Sequence, residues 1–338
     1  AKVRAMHGKR ITKEDYAAMR EMHTVPEIGA YLKRHPSWAE PLRDLPPDVN
    51  RAQLEAMLLS GRLYEYVRIY KFMQHDDHPM LKYMLLYMEM DEILSFLRHL
   101  QADSLDEYTC RLIPFFRRHI PVDFDKFAQT DTYDGFLELL AQSSFRDLLL
   151  KLPRPDGGMP DYTLIKVVFT SHYYATVLKT ADRLYGSGSE TAAKIQRGFG
   201  SQVDLINLCS ILRIKRFFPG MEEDILSYLM PLSYRLKPAF TKELYTSSSA
   251  EHILELIKTG SPYAKLFNKY SFHNLEDYQY QFMYDFNIKE LTAPTPSPYT
   301  PVAYLTLKEI EVKNLVGLIE CARYGITLEQ ASVLLIGV

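Results

Sequence analysis

The densest group of side chains that could bind a metal is His75, Asp76, Asp77 and His78. Imidazole nitrogens and carboxylate oxygens are common ligands of zinc in proteins. The four residues come directly before Pro79, and proline is favoured at the first position of a helix, after a polar capping residue. We therefore expect a capped helix start here, with no metal or other cofactor bound.

Acidic residues also recur in a fixed pattern, the acid pattern, at intervals near a third of the chain. The pattern is an acid, two residues, Glu or Asn, an apolar residue, two further residues and two apolar residues. Positions i, i+3, i+4 and i+7 share one face of a helix, so the two polar positions extend an apolar stripe. The three copies are Glu89, Glu92, Ile93, Phe96 and Leu97; Asp204, Asn207, Leu208, Ile211 and Leu212; and Glu311, Asn314, Leu315, Leu318 and Ile319.

Polar groups on such a stripe should be at least partly buried, and a buried carboxylate is costly unless a partner donates to it or balances its charge. We expect partners such as Arg98, Arg213 or Arg323, and we interpret the six polar positions as a structural network where helices cross. Replacing Asp204 or Asn314 by Leu should then lower the stability by about 1 kcal/mol or more, because a buried partner is left unpaired.

A catalytic interpretation of these acids requires motifs that the sequence lacks. Helical prenyl-transferring enzymes bind Mg²⁺ through Asp-rich DDxxD motifs and di-iron bundles use ExxH pairs, and neither pattern is present. The glycine-rich residues 185–190 (YGSGSE) lack the Lys-Ser/Thr ending of a phosphate-binding loop. Cys110, Cys209 and Cys321 form no CxxC pair, so we expect reduced core thiols rather than a zinc site or a disulfide framework.

The surrounding residues have the periodicity of helices, since apolar side chains recur three and four apart and strand-like alternation is rare. A second repeat, the short-helix pattern, is an amphipathic stretch that ends at a small or helix-breaking residue and precedes each copy of the acid pattern. Its copies are residues 26–36 (PEIGAYLKRHP), 134–144 (DGFLELLAQSS) and 251–261 (EHILELIKTGS). Together the patterns predict an all-α chain of three homologous repeats, at residues 1–109, 110–225 and 226–338.

Charge and hydropathy narrow the range of partners. The chain has 40 Lys and Arg against 42 Asp and Glu, which is not the basic excess expected of a nucleic-acid-binding surface. Residues 291–307 carry no charged side chain but include four prolines, so they cannot form one continuous membrane-spanning helix. No secretory signal is visible at the start of the sequence. We expect a soluble protein that reaches a membrane only through its partners.

Several segments, taken in order, resemble the subunit called C in archaeal-type ATPases and d in vacuolar ATPases. They span essentially the whole chain: residues 1–6 (AKVRAM), 8–16 (GKRITKEDY), 31–36 (YLKRHP), 54–72 (LEAMLLSGRLYEYVRIYKF), 204–215 (DLINLCSILRIK), 309–325 (EIEVKNLVGLIECARYG) and 335–338 (LIGV). Two features depart from that family. The sequence begins directly at the AKVRAM segment, and Glu320 stands where the second repeat has Arg213.

The resemblance implies three similar helical domains about a pseudo-threefold axis, forming a funnel-shaped body. Its cavity would receive central-stalk subunits of the D and F type, and its opposite face would rest on the membrane proteolipid ring. Such a protein would be a non-catalytic rotor subunit without a cofactor, present once per complex and monomeric when isolated. It would lie on the cytoplasmic face of the membrane and couple ATP-linked rotation to proton or sodium transport.

Two other classes of protein stay open at this point. Helical repeats also build scaffolds that bind other soluble proteins, and such a solenoid should be elongated rather than closed about an axis. A helical enzyme of the prenyl-transferase type would need an Asp-rich Mg²⁺ site. Thermal stabilisation by a divalent cation together with a diphosphate ligand would favour that enzyme.

Overall fold

The computed structural model describes residues 2–73, 78–218, 224–330 and 335–338. All regular structure in these ranges is helical, which confirms the predicted all-α class. The α-helices are α1 (Lys2–His7), α2 (Lys13–Arg20), α3 (Val25–Arg34), α4 (Arg51–Phe72), α5 (His78–Leu81), α6 (Tyr83–Gln101), α7 (Pro114–His119), α8 (Tyr133–Leu139), α9 (Arg146–Leu149), α10 (Tyr162–Tyr185), α11 (Glu190–Ile195), α12 (Ser201–Phe217), α13 (Pro238–Thr246), α14 (Ala250–Gly260), α15 (Ala264–Lys269), α16 (Glu276–Thr292) and α17 (Thr300–Tyr324).

These helices belong to two compact units. The first unit combines residues 1–74 with residues 265–338, and the second consists of residues 75–264. One unit can contain more than one repeat, so the division into three repeats stays a prediction.

The short-helix pattern forms α3, α8 and α14, and all three helices begin in the same way. A hydroxyl at the N-cap accepts a hydrogen bond from the backbone N–H three residues later, which satisfies one of the free donors at a helix start. The same position of each helix then carries a fully buried apolar side chain that anchors it to the core. The capping residues are Thr24, Thr132 and Ser249, and the anchors are Ile28, Phe136 and Ile253.

In the first unit, the core forms where α3 and α4 pack against α17. Ile28 from α3, Leu54 from α4 and Leu315 from α17 are fully buried in one apolar cluster, together with Trp38 from the segment between α3 and α4. Gly337, near the end of the chain, lies against the ring of Tyr284 and has a φ of 74°. A larger residue at position 337 would collide with this ring, so the glycine allows the last residues to pack closely on α16.

In the second unit, the core around α6 is aromatic. The ring of Phe96 has its centroid 5.3 Å from that of Tyr108, and 4.9 Å from those of both Phe127 and Phe136. Aromatic pairs at such separations stabilise a core beyond the area that they bury. They hold the segments around α7 and α8 against the middle of α6.

Three of the longer helices, α6, α12 and α17, carry the acid pattern. A π-helical turn, Gln196–Gly200, joins α11 to the start of α12. The backbone of Gly200 approaches the side chain of Tyr234 so closely that a Cβ atom would lie 2.7 Å from the ring. This contact brings the segment around Tyr234 over the acid of α12. Within the described ranges, none of the helices has both the length and the apolar composition needed to cross a membrane.

Candidate functional site

The six polar positions of the acid pattern are all buried, with relative exposures between 0% and 7%. They form three pairs, which we call polar clusters. The first cluster is Glu89 with Glu92 on α6, the second is Asp204 with Asn207 on α12, and the third is Glu311 with Asn314 on α17.

The third cluster centres on the carboxylate of Glu311. One of its oxygens, Oε1, accepts hydrogen bonds from Trp38 Nε1 at 2.9 Å and from Lys308 Nζ at 2.6 Å, and Oε2 accepts from the backbone N–H of Ile11 at 3.1 Å. Lys308 also donates to Ser37 Oγ at 2.6 Å, and its Nζ lies 3.9 Å from the centroid of the Trp38 ring. The buried acid is therefore balanced by a buried lysine and held by two further donors.

The second cluster satisfies its acid through backbone amides and a hydroxyl. Oδ1 of Asp204 accepts from the backbone N–H of Tyr234 at 2.8 Å, and Oδ2 accepts from those of Arg235 at 2.7 Å and Leu236 at 3.2 Å. Oδ2 also accepts from the hydroxyl of Tyr263 at 2.7 Å. These charge-assisted hydrogen bonds replace the water that the carboxylate loses on burial.

The asparagines of the second and third clusters make the same contact. Nδ2 of Asn207 donates to the carbonyl oxygen of Met230 at 3.0 Å, and its Oδ1 accepts from the N–H of that residue at 2.9 Å. Asn314 makes the same two bonds to Ile336, at 3.0 and 2.9 Å. In both clusters, one side-chain amide binds the N–H and the carbonyl oxygen of a single residue that lies after the helix in the sequence.

Among the described residues, fewer donors reach the first cluster than reach the other two. Glu89 accepts from Ser143 Oγ at 2.6 Å, and Glu92 accepts from the hydroxyl of Tyr108 at 2.6 Å and from the N–H of Arg111 at 3.3 Å. Burial raises the pKa of both carboxyl groups above the ordinary value, and these hydrogen bonds offset only part of the rise. Burial therefore disfavours the charged form of both carboxyl groups in this cluster.

In each of the three clusters, a residue just after a helix of the short-helix pattern donates a hydrogen bond to the acid. Glu89 on α6 contacts Ser143 after α8, Asp204 on α12 contacts Tyr263 after α14, and Glu311 on α17 contacts Trp38 after α3. Each acid therefore meets the end of the next short helix in chain order, and the last acid meets the end of the first. The same kind of contact is therefore made three times, twice in the second unit and once in the first.

The segments before α3 and α14 also make equivalent contacts. Leu236 and Ile11 lie equally far along the chain before the anchors Ile253 and Ile28, and each donates its backbone N–H to the acid of its cluster. The donor segment is continuous with Met230 in the second cluster. In the third, the two contacts come from opposite ends of the chain, Ile336 and Ile11.

The arginines expected as partners take other positions. Arg98 and Arg323 are exposed, with Arg98 donating to the hydroxyl of Tyr162 and the Arg323 guanidinium lying 5.1 Å from the ring centroid of Tyr324. Arg213 is half-buried. Glu320, which stands where the second repeat has Arg213, forms an ion pair with Arg51. The hydrogen bonds to the four buried acids come instead from hydroxyls, backbone amides, an indole and Lys308.

The sequence did not lead us to these donors, although two features of it could have indicated them. Each copy of the short-helix pattern ends close to a serine and an aromatic residue. In the structure, these ends supply Ser37 and Trp38, Ser143, and Tyr263 to the clusters. Lys308 had a signal as well, because it lies three residues before Glu311 on the same face of α17.

The sequence offers two further groups of residues that could do chemistry, the His and Asp run at residues 75–78 and the three cysteines. His75, Asp76 and Asp77 lie outside the described residues, and α5 begins at His78. In the ranges that the structure describes, no group of three or more His, Cys, Asp or Glu side chains is placed to hold a metal ion. The three cysteines are free thiols; Cys209 and Cys321 are buried, and burial raises the pKa of the partly buried Cys110 to about 11.

The arrangement fixes loops to helices. In each cluster, acceptor atoms on one long helix bind backbone or side-chain donors from segments distant in the sequence. The carboxylates of Asp204 and Glu311 accept from three or more donors each, which leaves them little capacity to accept a proton from a substrate.

Comparison with known proteins identifies the family of the chain. A family model described as "ATP synthase (C/AC39) subunit" matches residues 1–332. One curated relative, the C subunit of the A-type ATP synthase of Methanosphaera stadtmanae, is 23% identical over 334 residues, covering 93% of this chain and 80% of the relative. The chain therefore belongs to the ATP synthase (C/AC39) subunit family.

Proposed function

We propose that this chain is a non-catalytic rotor subunit of an archaeal- or vacuolar-type ATPase and that it couples the central stalk to the membrane proteolipid ring. The observation that carries the proposal is the family match over residues 1–332. The name of the Methanosphaera relative, which places that protein in an A-type ATP synthase, supports the same kind of complex. ATP chemistry and ion binding would take place in other subunits.

The repetition of the polar clusters supports three similar helical repeats. Each acid contacts the end of a short helix, at Ser143, Tyr263 or Trp38, as expected if the three segments share one local fold. In this proposal the body is a funnel whose cavity receives the stalk subunits and whose opposite face rests on the ring. A protein that transmits torque must be stiff, and densely packed helices deform little under load.

The proposal includes the number of copies in the complex, their location in the cell and their partners. One copy would serve each complex, and the isolated chain would be monomeric. It would lie on the cytoplasmic side of the membrane, contacting the membrane only through the ring and binding no nucleic acid. Rotation of the stalk would reach the ring through this chain and drive proton or sodium transport, or run in reverse during synthesis.

Affinity capture tests the coupling role directly. The tagged chain is incubated with purified stalk subunits of the D and F type and with detergent-solubilised proteolipid ring, at low and moderate salt. Capture of both partners in one assembly is the expected result. Capture of neither by a folded, monomeric chain would contradict the proposal and favour a helical scaffold for other soluble proteins.

Exposed aromatic residues at helix ends allow the contacts to be mapped in the same assay. Phe72, Phe217 and Tyr324 are 60%, 61% and 62% exposed, so replacing each by Asp should leave the fold intact. A variant that loses the ring but keeps the stalk, or the reverse, assigns its position to that contact. The matched control is Lys9→Gln, another exposed position, which should keep both partners.

A further inference from the structure

A cavity of about 300 Å³ lies beside Glu311 in the first unit. Its walls come from the segment between α1 and α2, from α17 and from the last residues of the chain. Met6, Leu307 and Ile310 supply apolar surface, while Tyr16, Asn314 and Lys308 contribute polar atoms. A mostly apolar cavity of this size with a few convergent polar groups suits a small organic molecule.

The cavity lies where the third cluster differs from the second in the connection of its chain segments. In the second cluster, the chain runs unbroken from Met230, held by Asn207, to Leu236, held by Asp204. In the third cluster, the corresponding contacts come from Ile336 and Ile11, and both residues line the cavity. The cavity therefore lies between two segments whose counterparts in the second cluster are joined by a short continuous stretch of chain.

Charge around the cavity is unbalanced. Lys308 and Glu311 neutralise one another at 2.6 Å. Burial, with a smaller contribution from Arg10, lowers the pKa of His7 to about 4, so this imidazole is uncharged at neutral pH. Among the side chains that line the cavity, Arg10 and Lys13 are exposed cations and Glu14 is an exposed acid, so these three side chains together carry one positive charge. Within the described ranges, neither cation has an ion pair, which leaves a positive rim.

We propose that this cavity binds a small amphipathic organic anion, with an apolar body between α17 and the segment after α1 and an acidic head at Arg10 and Lys13. A carboxylate or a phosphate would serve as the head, since a guanidinium donates paired hydrogen bonds to either. The bound molecule would tie the N-terminal segment to α17 and to the last residues. This inference does not depend on the coupling role, because the site belongs to the chain itself.

Calorimetric titration of the whole chain tests the site with defined probes. Phenylacetate and phenyl phosphate share a ring with 2-phenylethanol, which lacks the charge. The two acids should bind saturably and raise the melting temperature, while the alcohol should bind at least about tenfold more weakly, because the charge-assisted contacts are missing. Saturable binding by either acid identifies its head group as acceptable. No saturable binding by either acid, or equal binding by the alcohol, would overturn the proposal.

Two single substitutions locate the binding. Arg10→Gln removes a rim cation at an exposed position and should weaken phenylacetate or phenyl phosphate about tenfold, with an unchanged melting temperature when no ligand is added. Lys9→Gln is the matched control, since Lys9 is exposed, adjacent and does not line the cavity. Equal affinities for Arg10→Gln, Lys9→Gln and the parent would mean that binding occurs elsewhere and would refute the site.

Discussion

Asp204 and Glu89 occupy the same position of the acid pattern and are both buried in the second unit, yet their surroundings differ. Asp204 accepts from three backbone N–H groups and one hydroxyl. For Glu89, the described part of the chain provides the hydroxyl of Ser143, and burial raises the pKa of its carboxyl group. At Glu89, one hydroxyl donor offsets only part of the cost of burying a charged carboxylate.

Glu311, at the same position in the first unit, shows a third solution. Lys308 supplies both a countercharge and a hydrogen bond, and Trp38 and Ile11 add donors. The acid pattern thus places a buried acid on three helices, and a different set of neighbouring residues stabilises each acid. Substitutions at the three clusters should separate these solutions.

The largest effect is expected from Asp204→Asn. The amide keeps the shape but replaces one acceptor oxygen by a donor, which then faces backbone N–H groups of residues 234–236. Each unsatisfied or opposed buried donor costs about 1–3 kcal/mol, so we expect a loss of about 4 kcal/mol in unfolding free energy. Urea denaturation followed by circular dichroism measures it. Asp131→Asn, at an exposed position, is the control, and equal midpoints for both variants would contradict the anchoring role.

Lys308→Met should be the next most damaging change. It leaves the Glu311 carboxylate buried without its countercharge, and breaking one side of a buried pair costs about 3 kcal/mol or more. The double variant Lys308→Met with Glu311→Leu removes both charges and should recover much of that loss. Denaturation of the parent, both single variants and the double variant gives the coupling energy. A double variant less stable than Lys308→Met alone would show that the acid has a role independent of the lysine.

Asn314→Leu and Asn207→Leu should have similar, intermediate effects. Each removes both bonds to one backbone unit, at Ile336 or at Met230, and should cost about 2 kcal/mol. Hydrogen exchange should increase at Ile336 in the first variant and at Met230 in the second, because those N–H groups lose their acceptor. Asn274→Leu, at an exposed position, should change neither protection nor stability. Unequal losses beyond experimental error would break the equivalence of the two asparagines.

Glu89→Gln should have the smallest effect and a different pH dependence. The folded-state pKa of Glu89 is raised above the ordinary 4.5, so its contribution to stability is present below that pH and is lost as the pH rises through the folded-state value. Gln has no proton to lose, so the variant should stay within about 1 kcal/mol of the parent and gain relative to it as the pH increases. Unfolding midpoints between about pH 4 and 8 test this, with exposed Glu107→Gln as control. If the unfolding midpoints of parent and variant changed in parallel with pH, burial would not raise the pKa of Glu89.

The sequence by itself determined the helical class and the helices that matter most. Apolar residues three and four apart, with Thr24, Thr132 and Ser249 before Ile28, Phe136 and Ile253, are local signals, and local signals can be read without knowing the fold. The placement of acids and asparagines on an apolar stripe likewise pointed to burial, because side chains at those spacings share one helix face.

Only the tertiary structure decided what satisfies each buried acid. The donors to Asp204 lie in residues 234–236 and at Tyr263, and those to Glu311 include Trp38 and Ile11, at the opposite end of the chain. Periodicity reports which face of a helix is buried, but it does not report which loop comes to rest on that face. The cavity beside Glu311 has the same origin, since it depends on the meeting of segments near residues 11 and 336.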